Sequence, residues 1–311
     1  MNKTSIATHN LELENNARST QSQVSYLTPD SLINRRFVAP GEEINTGAYE
    51  PHKITVRDGR DIRDKLTLDT HGFSLIDAPT KINDFHDSKQ VDEIYPNESL
   101  ELVKELTGAS CGVGLGWMLR TSGDIPKVEK SEDEEYSHQG GMSIQPPAGE
   151  VHVDFTPELA PIAAEKIYAE NFPDGKPYSR FIVTSFWRAF SPPPQDWPLA
   201  VCDSSSVGDE EGVPNTMHIV NELPDHDAMF SDEIEKTAIA AASIFHYNPN
   251  HRWWYYSNML KDVALLFKFY DSEEGVAKRT LHTAFHDTSF GEKANARESI
   301  EFRSFVFFVD E

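Results

Sequence analysis

The chain has 311 residues, 38% hydrophobic and 11% aromatic, which is enough apolar material for one large core. Its net charge is −23, from 28 basic and 51 acidic residues. That excludes nucleic acid and an anionic membrane surface as partners, since both need clustered Lys and Arg. Two cysteines, Cys111 and Cys202, make no disulfide framework and no C-x-x-C pair, and this points to a reduced, cytoplasmic protein.

Residues 1–22 are polar and are predicted to be a disordered tail, with residues 23–311 forming one domain. No apolar signal region follows Met1, and no run approaches the roughly 18 apolar residues of a membrane span. Alternation predicts strands at 52–57 and 72–76, with the Asp58-Gly59 turn between them. A helical rhythm runs from Ser88 to Thr107, and Pro96 is expected to split it in two. Gly112, Gly114 and Gly116 could be read as a nucleotide loop, but that fingerprint needs a strand before the glycines and a helix after them. Here a helix precedes them, and a strand at Trp117–Arg120 follows. The acidic stretch 126–141 is expected to be a solvated loop, or a lid over whatever follows it.

Glu150-Val-His152-Val-Asp154-Phe155 reads as a strand with Val151, Val153 and Phe155 on one face and His152 and Asp154 on the other. An imidazole and a carboxylate two residues apart form the first half of a 2-His-1-carboxylate facial triad, the ligand set of non-haem Fe(II) oxygenases. His282, on a later strand, is the expected third ligand, with His286 as its alternative. Residues 157–171 are predicted to be helical, 180–189 a strand, and 238–246 a strand despite its alanines. Arg252 to Tyr256 is an aromatic strand and is expected to be core.

The last strand runs from Arg297 to Val309 and places Arg297, Ser299 and Arg303 on one face. A guanidinium fork with a neighbouring hydroxyl suits a carboxylate, and an Arg-x-Ser pair shortly after the distal histidine resembles the way many 2-oxoglutarate oxygenases hold the far carboxylate of the cosubstrate. Arg297 and Ser299 are therefore the expected cosubstrate residues, with Arg303 as runner-up and Arg188 as a further carboxylate holder. From about residue 146 the pattern is mostly strands, which suits a mainly β fold with a double-stranded β-helix (jelly-roll, cupin-like) core and flanking helices from the part before 145.

These landmarks occur in order with Val56-Arg57-Asp58, Phe186-Trp187-Arg188, Pro198 to Asp203, His251-Arg252-Trp253 and Leu266-Phe267-Lys268. Together they resemble the hydroxylase/desaturase family of fungal and bacterial secondary metabolism. That family includes the oxygenase component of cephalosporin 7α-methoxylation and gibberellin-desaturase-like proteins. The resemblance covers about residues 25–309. It implies an Fe(II)/2-oxoglutarate-dependent dioxygenase that uses O2 to oxidise an unactivated C–H of a small metabolite, by hydroxylation, desaturation or ring closure. It carries His152, Asp154 and His282 over as iron ligands and Arg297 as the cosubstrate partner. Two positions depart from the family pattern: Ala189 stands where a proline is common, and His286-Asp287-Thr288 stands where Asp-Asp-Pro is common. The chain is compatible with an amino-acid-like or other carboxylate substrate and with a homodimer. The rival readings are a metal-dependent hydrolase or isomerase and a non-catalytic metal-binding barrel.

Overall fold

A computed structural model describes residues 17–39, 42–124 and 144–310. Its fifteen described strands are β1 (Ser19–Leu27), β2 (Arg35–Ala39), β3 (Glu42–Asn45), β4 (Tyr49–Asp58), β5 (Phe73–Asp77), β6 (Cys111–Thr121), β7 (His152–Val153) and β8 (Tyr178–Ala189), then β9 (Leu199–Cys202), β10 (Val213–Ile219), β11 (Ala240–Ile244), β12 (Trp253–Tyr255), β13 (Val263–Asp271), β14 (His282–Ala284) and β15 (Glu298–Val309). They form a ten-stranded sheet in the order β1-β4-β12-β9-β14-β7-β11-β10-β2-β3, and a five-stranded sheet in the order β5-β13-β8-β15-β6.

The larger apolar core draws on both sheets, with Val56, Val201 and Trp253 from one and Phe73, Val183, Phe267 and Phe305 from the other. This is the expected jelly-roll layering. Helix α1 (Ser88–Thr107) covers the outer face of the small sheet, where Val91, Tyr95 and Val103 join Phe186, Leu266, Ile300 and Phe302 in a second core. Helix α2 (Leu159–Asn171) places Ala160, Ala164 and Tyr168 in the main core, with Tyr168 against Phe307 at 4.9 Å between ring centres. Both sheets take strands from either side of residue 145. The aromatic strand Trp253–Tyr255 is buried throughout, as expected of core.

Two expectations are corrected. The tail does not extend to residue 22: residues 1–16 lie outside the described chain, and residues 19–22 belong to β1, held by a full antiparallel register from Ser19↔Arg57 to Leu27↔Tyr49. Polar side chains there are compatible with a strand because β1 is an edge strand with one wet face. Pro96 does not split α1, which runs unbroken for 20 residues. Proline removes one helical hydrogen bond at about 3 kcal/mol. Burial of Val91, Tyr95 and Val103 on the sheet offsets that, and the ends are fixed by Asp87, which accepts from the Gln90 amide, and by Gly108 at φ 75°.

The glycines at 112–116 lie inside β6. A Cβ on Gly114 would fall 2.7 Å from the Phe302 ring, so packing against β15 requires glycine there. The stretch 126–141 expected to be a loop or lid lies outside the described residues. Among the described residues no helix is long and apolar enough to cross a membrane.

Candidate active site

The sheet register brings the distant halves of the site together. β14 lies between β7 and β9, with His282 opposite both His152 and Val201. The two imidazole rings sit 4.2 Å apart, centre to centre. Ligand atoms of His152, Asp154 and His282 all fall within 4.8 Å of one another, the one such cluster among the described residues. The predicted six-residue strand around them has shortened to two residues, yet His152 keeps its inward aim.

Hydrogen bonds set the tautomers. His152 Nδ1 lies 2.8 Å from the Glu150 carbonyl, and His282 Nδ1 lies 3.4 Å from the Thr280 carbonyl. A carbonyl only accepts, so each Nδ1 carries the proton and each Nε2 presents a lone pair. Burial first, then the neighbouring His152, pushes the His282 imidazolium pKa down to about 3, which keeps the ring neutral. Burial of Asp154 would raise its pKa, but its cationic neighbours, the Arg303 guanidinium first, outweigh that and hold the carboxyl well below its usual range. A neutral His282 and an ionised Asp154 are protonation states that ligation needs. With nitrogen and hard oxygen donors in a 2:1 set, the residues fit Fe(II). His286 takes no part: its ring stacks on Trp197 at 5.1 Å.

A cavity beside the triad is lined by Arg120, His152, Trp187, Phe267, His282 and Arg297, among others. Arg297 is only 1% exposed. Its Nη1 donates to the Trp197 carbonyl at 3.1 Å, while Nε and Nη2 are buried with no partner among the described residues. Ser299 Oγ is likewise buried and unpartnered. Ser299 pairs with Arg120 on β6, whose Nη1 donates to the Pro146 carbonyl at 2.8 Å. Burial first, then the Arg120 cation, pushes the Arg297 pKa down to about 9. Buried donors without acceptors are rare and destabilising unless a ligand completes them, so the residues fit the carboxylate of 2-oxoglutarate.

Arg188 is not in this cavity. In β8 its neighbour Trp187 faces the cavity, so Arg188 points to the outer face. There its Nη1 donates to the carbonyls of Ala78, at 2.6 Å, and of Lys261, beneath the Tyr95 ring. Arg188→Met should therefore lower stability by about 1.5–3 kcal/mol, the worth of a charged hydrogen bond, and leave 2-oxoglutarate affinity unchanged. Paired chemical denaturation and ligand titration would check this. Arg303 is committed elsewhere, with Nη2 2.9 Å from Asp154 Oδ2 and 3.1 Å from Glu301 Oε2. Glu301 was not foreseen, although alternation along β15 puts it on the face of Arg297, Ser299 and Arg303.

Comparison with known proteins gives the family and the fold. The domain family described as Oxidoreductase/YMDC permease-like matches residues 24–307. A hydroxylase/desaturase, efuI, from Hormonema carpetanum is 33% identical over 269 residues, covering 85% of this chain and 86% of its own. The chain belongs to the hydroxylase/desaturase family. A second relative, the Fe(II)/2-oxoglutarate-dependent dioxygenase nvfI from Aspergillus novofumigatus, is 29% identical over 297 residues, covering 92% and 96% of the two chains. The solved structure of the iron and alpha-ketoglutarate-dependent endoperoxidase NvfI superposes with a TM-score of 0.71 at 25% identity, covering 94% of this chain and 99% of that one. Family membership makes this protein an oxidoreductase on the jelly-roll scaffold that the strand pattern predicts.

Proposed function

We propose that the protein is a non-haem Fe(II)/2-oxoglutarate-dependent dioxygenase that oxidises an unactivated C–H bond of a small metabolite in natural-product biosynthesis. His152, Asp154 and His282 would hold the iron, and Arg297 with Ser299 would hold the far carboxylate of 2-oxoglutarate. The observation that carries this reading is the pair of buried, unpartnered nitrogens of Arg297 beside the triad. A metal-dependent hydrolase activates water and has no use for a buried guanidinium awaiting an anion.

When bound, Fe(II) and 2-oxoglutarate let O2 cleave a C–H bond while the cosubstrate loses CO2 to become succinate. The chain's own residues do the rest. The carbonyls of Glu150 and Thr280 keep both Nε2 atoms aimed at one point. Arg297 and Ser299 fix the depth of the cosubstrate in the cavity. Trp187, Phe267 and Leu199 line the cavity with apolar surface that keeps water from the reacting centre. A second cation in the cavity, Arg120, favours an acidic or amino-acid-like substrate.

The test is turnover. Protein with Fe(II), 2-oxoglutarate and O2 should form succinate and CO2 in equal amounts, slowly without a primary substrate, and not at all without O2. Succinate formation independent of O2, or a Zn(II)-activated hydrolysis with no use of 2-oxoglutarate, would overturn the proposal.

A further inference from the structure

Asp154 is gripped on one side only. Its Oδ1 lies 3.5 Å from His152 Nε2, on the side of the paired imidazoles, while its Oδ2 lies 2.9 Å from Arg303 Nη2, a buried ion pair by charge and distance in which Oδ2 accepts no aligned hydrogen bond among the described residues. Arg303 is itself anchored: Nε donates to Glu301 Oε1 at 3.2 Å and Nη2 to Glu301 Oε2 at 3.1 Å. Glu301 Oε1 also accepts from the fully buried Ser185 hydroxyl at 2.8 Å. The Arg303 guanidinium lies over the Phe269 ring, at 5.8 Å, and Phe269 stacks on His282. The chain of contacts is built into the sheet. The bulge between β6 and β15 lies in β6, where Leu115 and Gly116 (φ 99°) together oppose Arg303, while Arg303 keeps regular register with Ser185 of β8.

We infer that Ser185, Glu301 and Arg303 form a positioning chain that makes Asp154 a one-oxygen ligand, with Oδ1 for the metal and Oδ2 reserved for the guanidinium. This inference rests on the triad reading above and adds to it what sets the number of open metal positions. A carboxylate can ligate a metal through one or both of its oxygens. If Asp154 used both, a 2-oxo acid chelating through two atoms would fill the last positions and leave none for O2. With Oδ2 held by Arg303, one position stays open after the cosubstrate is in place. Glu301 provides the counter-charge that keeps Arg303 from swinging into the cavity.

The test counts metal-bound water in full-length protein loaded with Mn(II), by water-proton relaxation. Wild type should lose most of its inner-sphere relaxation when 2-oxoglutarate is added but keep the share of one exchanging water. Arg303→Met should start about one third lower, as three open positions become two, and fall to the outer-sphere level with 2-oxoglutarate. Arg303→Lys keeps a cation beside Oδ2 and should behave as wild type. Glu301→Gln should shift in the direction of Arg303→Met and serves as the readout if the methionine variant does not fold. Relaxation per bound Mn(II) unchanged in both Arg303→Met and Glu301→Gln, with or without cosubstrate, would overturn the inference. A merely structural Arg303 gives that result, because its loss then lowers stability alone. If wild type shows no response to 2-oxoglutarate, the cosubstrate reading fails instead, and the Mn(II)-only comparison still decides the role of Arg303.

Discussion

Arg297→Met should abolish tight 2-oxoglutarate binding and leave a folded protein slightly more stable than wild type. The two effects share one cause. Arg297 is a buried cation with two donor nitrogens lacking acceptors and with Arg120 lining the same cavity. In the ligand-free chain this is a liability: each unsatisfied buried donor destabilises by about 1–3 kcal/mol. Methionine fills similar volume without charge, and for a chain of this size each kcal/mol regained raises the melting temperature by roughly 2–4 °C. In the loaded protein the same guanidinium forms a buried charged pair with a carboxylate, and truncating one partner of such a pair costs about 2–5 kcal/mol, or at least 30-fold in affinity. Thermal melts of Mn(II)-loaded protein read both effects. Wild type should rise on addition of 2-oxoglutarate, whereas Arg297→Met should start higher and not respond. Arg297→Lys restores a point charge but not the fork, so it should fall between them. A variant that melts lower and still responds to the cosubstrate would place the carboxylate elsewhere.

Asp154→Ala and His282→Ala should each remove activity altogether. Loss of an outer-shell partner typically costs 10–100-fold in metal affinity, and loss of a direct ligand costs no less than about 100-fold. The two should differ in stability. Removing His282 takes away an imidazole already held neutral in the interior, and little charge imbalance follows. Removing Asp154 deprives Arg303 of one of its two carboxylates inside the protein, so Asp154→Ala should also be the less stable protein, and Asp154→Asn should not recover it. Metal content after dialysis, together with melts of the apo forms, separates the ligand role from the ion-pair role. His286→Ala should retain metal and activity, since its ring packs on Trp197 away from the cluster.

The proposed ligand set could be read from the sequence because its pattern is local. Two residues of alternation place His152 beside Asp154, and Arg297-x-Ser299 shares a face for the same reason. Arg188 was not legible. Its strand is buried on both faces from Phe181 to Ala189, so no polar alternation shows which parity looks inward. The register Ile300↔Arg188 fixes the phase, with Trp187 facing the cavity and Arg188 the outer face. Pro96 and the glycines of β6 mislead in another way. Each obeys a local rule that tertiary packing overrides, in one case the apolar face of α1 on the sheet, in the other the Phe302 ring over Gly114. Glu301 had a signal in the alternation of β15, but no one-sequence rule says why a carboxylate should lie among three arginines. That needs the Arg303–Asp154 contact, which joins β15 to the residue after β7 across the two sheets.

The most direct measurement is anaerobic. Fe(II) and then 2-oxoglutarate are added to the purified protein, and the visible spectrum is followed for the weak charge-transfer band of a chelated 2-oxo acid. The expected result is a band in wild type, none in His152→Ala or His282→Ala, and in Arg297→Met a band that needs at least about 30-fold more 2-oxoglutarate. Absence of the band in wild type, with tight Zn(II) binding in its place, would contradict the oxygenase assignment.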